Sequence, residues 1–191
     1  MPWWTSLVGP AASLWDKAYR RWCQPVLRIE FHENRTYDVV RLPEYNGALG
    51  RFCHFFVYND GRAPARHARA RLMSVARLTE FGEPRPEPNF VAPRTLKWAD
   101  ETDFDPRDIE RGVPRRADLC YAAEGYNVMH FVAVPVGVGV QTTFPPGRYR
   151  VGVRVDADDA LPAEAEFDVD YKGDWATITI RPRAAKKGPK D

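Results

Sequence analysis

Residues 148–171 read RYRVGVRVDADDALPAEAEFDVDY. In the first half Tyr149, Val151, Val153 and Val155 alternate with Arg148, Arg150, Gly152 and Arg154. In the second half Ala165, Phe167, Val169 and Tyr171 alternate with Glu164, Glu166, Asp168 and Asp170. A period of two places successive side chains on opposite faces of a strand, so each half has one oily and one wet face. The acidic stretch Asp156-Ala157-Asp158-Asp159 between them is turn chemistry. With the turn centred near Asp159, an antiparallel register sets Arg154 opposite Glu164, Arg150 opposite Asp168 and Arg148 opposite Asp170. Opposite charges facing each other across a ladder contribute about 0.2–1 kcal/mol each. Slipping by one residue would turn the whole apolar row into water, so this pairing is strongly specified.

The same period extends upstream. Residues 26–31 read as a strand, as do residues 52–58 (FCHFFVY), which end at the turn Asn59-Asp60-Gly61. In the latter, Cys53, Phe55 and Val57 form one row, and Phe52, His54, Phe56 and Tyr58 the other. Both rows are apolar enough to need cover, from the N-terminal segment, the Pro-rich loop or a partner. Residues 66–78 alternate Ala68, Ala70, Leu72, Ala76 and Leu78 against His67, Arg69, Arg71 and Arg77. Residues 80–93 carry four prolines and read as an extended loop. Shorter strands are expected at 96–98, 118–121, 127–134, 138–144 and 175–180. Residues 100–116 are charged and turn-rich.

Only residues 11–22 have helical periodicity, with Ala11, Leu14, Trp15, Ala18, Tyr19 and Trp22 on one stripe. Pro10 suits the first turn and Pro25 the stop. The domain organisation expected is therefore an amphipathic helix in 1–25, a β-sandwich in 26–181 and a disordered basic tail in 182–191. With 191 residues, 17 prolines and 13 glycines, one turn-rich β domain fits the composition. The net charge of +2 is too small to argue for nucleic acid. Cys23, Cys53 and Cys120 make an odd, sparse set without a C-x-x-C pair, which fits a reducing compartment, and the cytoplasm is expected.

Two strings carry a family resemblance. RFCHFFVYNDGRAPARHARARL (residues 51–72) resembles the strand–N-x-G–small-residue–strand pattern of bacterial immunoglobulin-like domains, and FPPGRYRVGVRVDADDALPAEAEFDVDY (residues 144–171) resembles their closing hairpin. The resemblance implies an all-β, immunoglobulin-like antiparallel sandwich, and a module that binds or connects. Two features depart from the pattern. Residues 148–155 hold no cysteine to pair with Cys53, and residues 80–116 lengthen the domain beyond the roughly 100 residues usual for this fold.

The expected function is a non-catalytic accessory module that binds a protein partner. Its candidate contact residues are Trp3, Trp4, Leu14, Trp15, Tyr19 and Trp22 of the helix, and Phe52, Phe56 and Tyr58 of the aromatic strand. The same tryptophans, with Lys17, Arg20 and Arg21, also suit a peripheral membrane contact. Self-association through the aromatic strand is a further alternative. Arg66, Arg69, Arg71 and Arg77 form a basic face. Alanines fill the positions where a single-strand binder would carry aromatics, so no nucleic acid is expected there. A third class, an enzyme or metal-dependent binder using end loops, rests on the acidic stretches at 100–105 and 156–159. Neither has the spacing of a calcium loop. The three serines (Ser6, Ser13, Ser74) lie outside any G-x-S-x-G, and His32, His54, His67 and His130 lack metal-site spacing. Cys53 and His54 are sequence neighbours, so a strand points them to opposite faces, whereas Cys120 with His130 stays open. No catalytic residue, metal or cofactor is expected.

Overall fold

The computed structural model describes residues 23–134 and 143–183. The helix expected at 11–22, the tail beyond Arg183 and most of the strand expected at 138–144 lie outside them. In chain order the strands are β1 (Leu27–Glu30), β2 (Tyr37–Leu42), β3 (Ala48–Asn59), β4 (Ala65–Leu78), β5 (Pro84–Pro86), β6 (Arg94–Thr95) and β7 (Arg107–Ile109). There follow β8 (Arg115–Ala123), β9 (Met129–Phe131), β10 (Thr143–Phe144), β11 (Gly147–Ala157), β12 (Ala160–Tyr171) and β13 (Thr179–Pro182). They form two antiparallel sheets. The first runs β1-β3-β8-β9-β10 with β2 also on β3; the second runs β13-β12-β11-β4-β5 with β6 and β7 also on β4.

The hairpin of β11 and β12 has the register its charges dictate: Arg154 faces Glu164, Arg150 faces Asp168 and Arg148 faces Asp170. Arg150 Nε lies 3.2 Å from Asp168 Oδ1, and Arg154 Nη1 3.6 Å from Glu164 Oε1. Inward-facing Tyr149, Val151, Val153, Val155, Phe167, Val169 and Tyr171 meet Cys53, Phe55, Val57, Leu119 and Met129 of the other sheet in one core. Each such large apolar side chain contributes roughly 1.5–3 kcal/mol by leaving water.

Among the details that differ from the sequence reading, four have a local reason. In β4 the buried residue is Val75, and Ala76 turns half outward, because the ladder to β11 shifts register between Gly152 and Val153 and skips Met73. Residues 84–86 are a strand, on the edge of β4, where proline's missing N–H costs no ladder bond. The final strand begins later than expected: residues 175–177 form a single 3-10 turn, with the Asp174 carboxylate accepting from Ala176 N, before β13 starts. Finally, β2 lacks a clean alternation, so it is not apparent from the pattern. Asn46 (φ 55°) and Gly47 (φ 77°) supply the left-handed turn that returns it to β3.

Residues 94–99 hold the sheets together. They start as β6 on β4, then cross to the first sheet, where Leu96 bridges Ala133 and Trp98 bridges Ala117. The buried Trp98 and Leu96 fill the space between the layers.

Candidate functional site

The second row of β3 faces away from the core, and its cover comes from within the chain. Phe56 is buried beneath the edge of the His32 ring (centroids 5.0 Å apart) and the Arg35 guanidinium, 5.8 Å above it. Tyr58 carries the Arg28 guanidinium 4.9 Å over its ring, and its hydroxyl is 2.9 Å from His32 Nε2. Phe52 is different: it opens a stack of rings that runs across three strands.

Register builds that stack. Phe52 of β3 faces Tyr121 of β8, which in turn faces His130 of β9. Residues directly opposed on one face stand close enough for their rings to pack. Phe52 and Tyr121 lie 4.8 Å apart and 13° from parallel; Tyr121 and His130 lie 4.9 Å apart at 12°. His54 continues the ladder beyond Phe52 at 6.3 Å and 11°. Tyr45, from the turn after β2, stands edge-on over the ladder, 6.2 Å from Tyr121 and 4.6 Å from Tyr126. Its hydroxyl is 3.1 Å from the Tyr121 hydroxyl and 3.2 Å from His130 Nε2.

Burial pushes the Tyr121 phenol well above its ordinary value, helped by the Tyr45 hydroxyl, and pushes the His130 imidazole down. The Tyr121 phenol and the His130 imidazole are therefore neutral near pH 7. A consistent arrangement has the Tyr121 hydroxyl donating to Tyr45, and the Tyr45 hydroxyl donating to His130 Nε2. Tyr45, Phe52, Tyr121 and His130 remain half-buried, while Tyr126 is 40% exposed. Val40, on the same side of the adjacent β2 by strand alternation, is 43% exposed.

At the other end of the ladder, His54 is buried with Nδ1 2.7 Å from Asp118 Oδ1. Asp118 is also buried, and its second oxygen lies 3.4 Å from Lys97 Nζ. His54 Nε2 approaches Asp38 Oδ2 at 3.2 Å, but not in hydrogen-bonding geometry, so this atom has no partner. That Asp38 oxygen accepts instead from Arg116 Nη1 at 2.6 Å, and Arg116 Nη2 reaches both oxygens of Asp100. Among the described residues nothing hydrogen-bonds His54 Nε2, and Asp118 fixes the ring through its other nitrogen.

Most of the basic face is engaged within the chain. Arg66 Nη1 lies 2.5 Å from Asp108 Oδ2, Arg71 Nε lies 2.9 Å from Asp156 Oδ2, and Arg69 stands opposite Asp156 in the ladder. Arg77 donates to the Pro146 carbonyl. The acidic stretches supply Asp156 and similar partners: Glu101 and Asp103 hold Arg107, and Asp158 holds His67. Among the described residues no three His, Cys, Asp or Glu side chains are grouped to hold a metal, and no helix is long and apolar enough to cross a membrane.

A groove of about 590 Å³ lies between β1 and the second sheet, floored by Ile29, Phe31, Val153 and Phe167. Its acidic rim is engaged within the chain: Glu30 with Arg28 and His32, Glu164 with Arg154, and Glu166 with Arg183. Of the contact residues named from sequence, Trp3, Trp4, Leu14, Trp15, Tyr19 and Trp22 lie outside the described residues. Phe52 joins the ladder; Phe56 and Tyr58 do not. Tyr45, Tyr121 and Tyr126 were not legible as a set, since only the register aligns them. The Asn46-Gly47 pair was the one local signal that Tyr45 sits at a hairpin beside β3. No protein-family model, curated protein or solved structure matches the chain.

Proposed function

We propose that this chain is a non-catalytic module of immunoglobulin-like architecture, and that it binds a protein partner through the outer face of β2, β3, β8 and β9. The observation that carries the reading is the ring ladder of Phe52, Tyr121 and His130, with Tyr45 and Tyr126 over it, on the solvent side of a sheet. Tyrosines offer large, rigid contact area at low entropic cost together with a polar tip, which is why they concentrate at protein interfaces. Here they are held by stacking and by one another's hydroxyls, so little order remains to be imposed on binding. Two antiparallel sheets over a shared core support the immunoglobulin-like reading. The sparse, odd cysteines support a cytoplasmic setting.

The test compares the full chain with a Tyr121→Ala/Tyr126→Ala variant as bait in extracts of the source cells, alongside a variant lacking residues 1–24. A partner retained by the full chain and by the truncation, and lost by the double substitution, is the expected result. Loss on truncation alone would move the contact to residues 1–24. Vesicle co-sedimentation of the same two proteins then separates a lipid surface from a protein one.

A further inference from the structure

We propose that Cys53 and Cys120 form a redox site, a cross-strand thiol pair that a low-molecular-weight disulfide converts to an intramolecular disulfide joining β3 to β8. The two residues are direct partners in the antiparallel ladder. Both side chains turn into the core, where neither has any solvent exposure. Directly opposed residues in such a ladder lie about 4.5–5.5 Å apart at Cα. A disulfide spans about 4.4–6.8 Å, so the bond forms without moving either strand far. Both cysteines are free in the structure, as is the half-buried Cys23.

The chemistry balances with glutathione disulfide as oxidant. One cysteine thiolate attacks a glutathione sulfur, releasing one glutathione thiolate and leaving a mixed disulfide. The second cysteine, deprotonated, attacks the protein-side sulfur and expels the other glutathione thiolate. The protein gives up two protons and two electrons, and two glutathione thiols appear. Burial pushes the Cys120 thiol up and shields both sulfurs, so exchange proceeds through local opening of the sheet and is slow.

The location gives the bond a consequence. Cys53 lies between Phe52 and His54, and Cys120 immediately precedes Tyr121, with successive side chains on opposite faces. An S–S bond beneath the ring ladder would staple the two strands that carry it. This inference stands on the register and burial of the two cysteines, and does not depend on what the outer face binds.

The test uses the full chain with Cys23→Ser, equilibrated in glutathione buffers from fully reduced to fully oxidised, then acid-quenched, alkylated in denaturant and mapped by mass spectrometry. We expect both alkylation tags to disappear together, a Cys53–Cys120 linked peptide to appear, and the melting temperature to rise on oxidation. A Cys53→Ala/Cys120→Ala protein should show no oxidant-dependent melting shift. Two alkylatable thiols across the whole series, including after oxidative refolding, would overturn the proposal. So would accumulation of glutathione adducts without the linked peptide.

Discussion

Asp118→Ala removes the partner of a buried histidine, and the structure sets the size of the effect. His54 Nδ1 lies 2.7 Å from Asp118 Oδ1, with both side chains 4% exposed, so water cannot readily replace the lost carboxylate. A hydrogen bond to a charged group contributes about 1.5–3 kcal/mol net. The Lys97 contact, at 3.4 Å on a side chain 26% exposed, adds at most about 1 kcal/mol after screening. Asp118→Ala should therefore cost about 2–4 kcal/mol, or about 4–16 °C in melting temperature for a chain of this size. Asp118→Asn keeps a carbonyl acceptor and should cost only about 1 kcal/mol. Replacing both partners, His54→Phe with Asp118→Leu, orphans only the Lys97 ammonium, which water reaches, and should recover more than half of the loss. Urea unfolding with an unchanged slope reads these proteins together with the His54→Phe and Asp118→Leu single variants. The reasoning is refuted if Asp118→Ala lies within about 0.5 kcal/mol of the parent, or if the His54 and Asp118 effects add without coupling.

Three further outcomes follow from the same packing. Burial lowers the His130 imidazole below 6.5, so the unfolded chain binds the extra proton more readily and stability falls as pH drops from 6.5 through the folded value. His130→Gln should flatten that part of a melting-temperature profile, while the separate loss from lowered carboxylates such as Asp108 stays at more acid pH. A Cβ on Gly61 would lie 2.4–2.5 Å from Gln24 O, Pro25 Cα and Val26 N, all backbone, whereas one on Gly50 meets the Leu42 side chain. Gly61→Ala should accordingly cost about 1–3 kcal/mol or more, and Gly50→Ala less, as denaturant midpoints would show. Phe167→Ala should cost about 3–5 kcal/mol, because Phe167 packs against Phe55 of the opposite sheet and against Phe31, just past the end of β1.

The hairpin of β11 and β12 was legible to the residue because charge and hydrophobicity alternate together and leave one register. β4 was legible only up to Met73, since a bulge has no periodic signature. β2 escaped because Tyr37, Asp38, Val39, Val40 and Arg41 show neither a period of two nor an apolar run; what specifies it is its place beside β3. The candidate site was half visible. Phe52 and the doubly apolar character of residues 52–58 pointed to one of the strands that carry the ring ladder. Tyr45, Tyr121 and His130 are far apart in sequence and converge only through ladders, which single-segment patterns do not encode. Likewise, the arginines of the basic face are visible in sequence, but their partners Asp108 and Asp156 come from other segments.

The outer face is tested most directly by a photo-reactive residue placed at position 126, beside the ladder, compared with one at Leu161 on β12 of the other sheet, which is 84% exposed. Expressed in the source cells, the first should yield a discrete adduct with another protein and the second none. Adducts of equal intensity from both positions, or none from position 126, would contradict a docking role for these tyrosines; an adduct of doubled chain mass would make the partner a second copy.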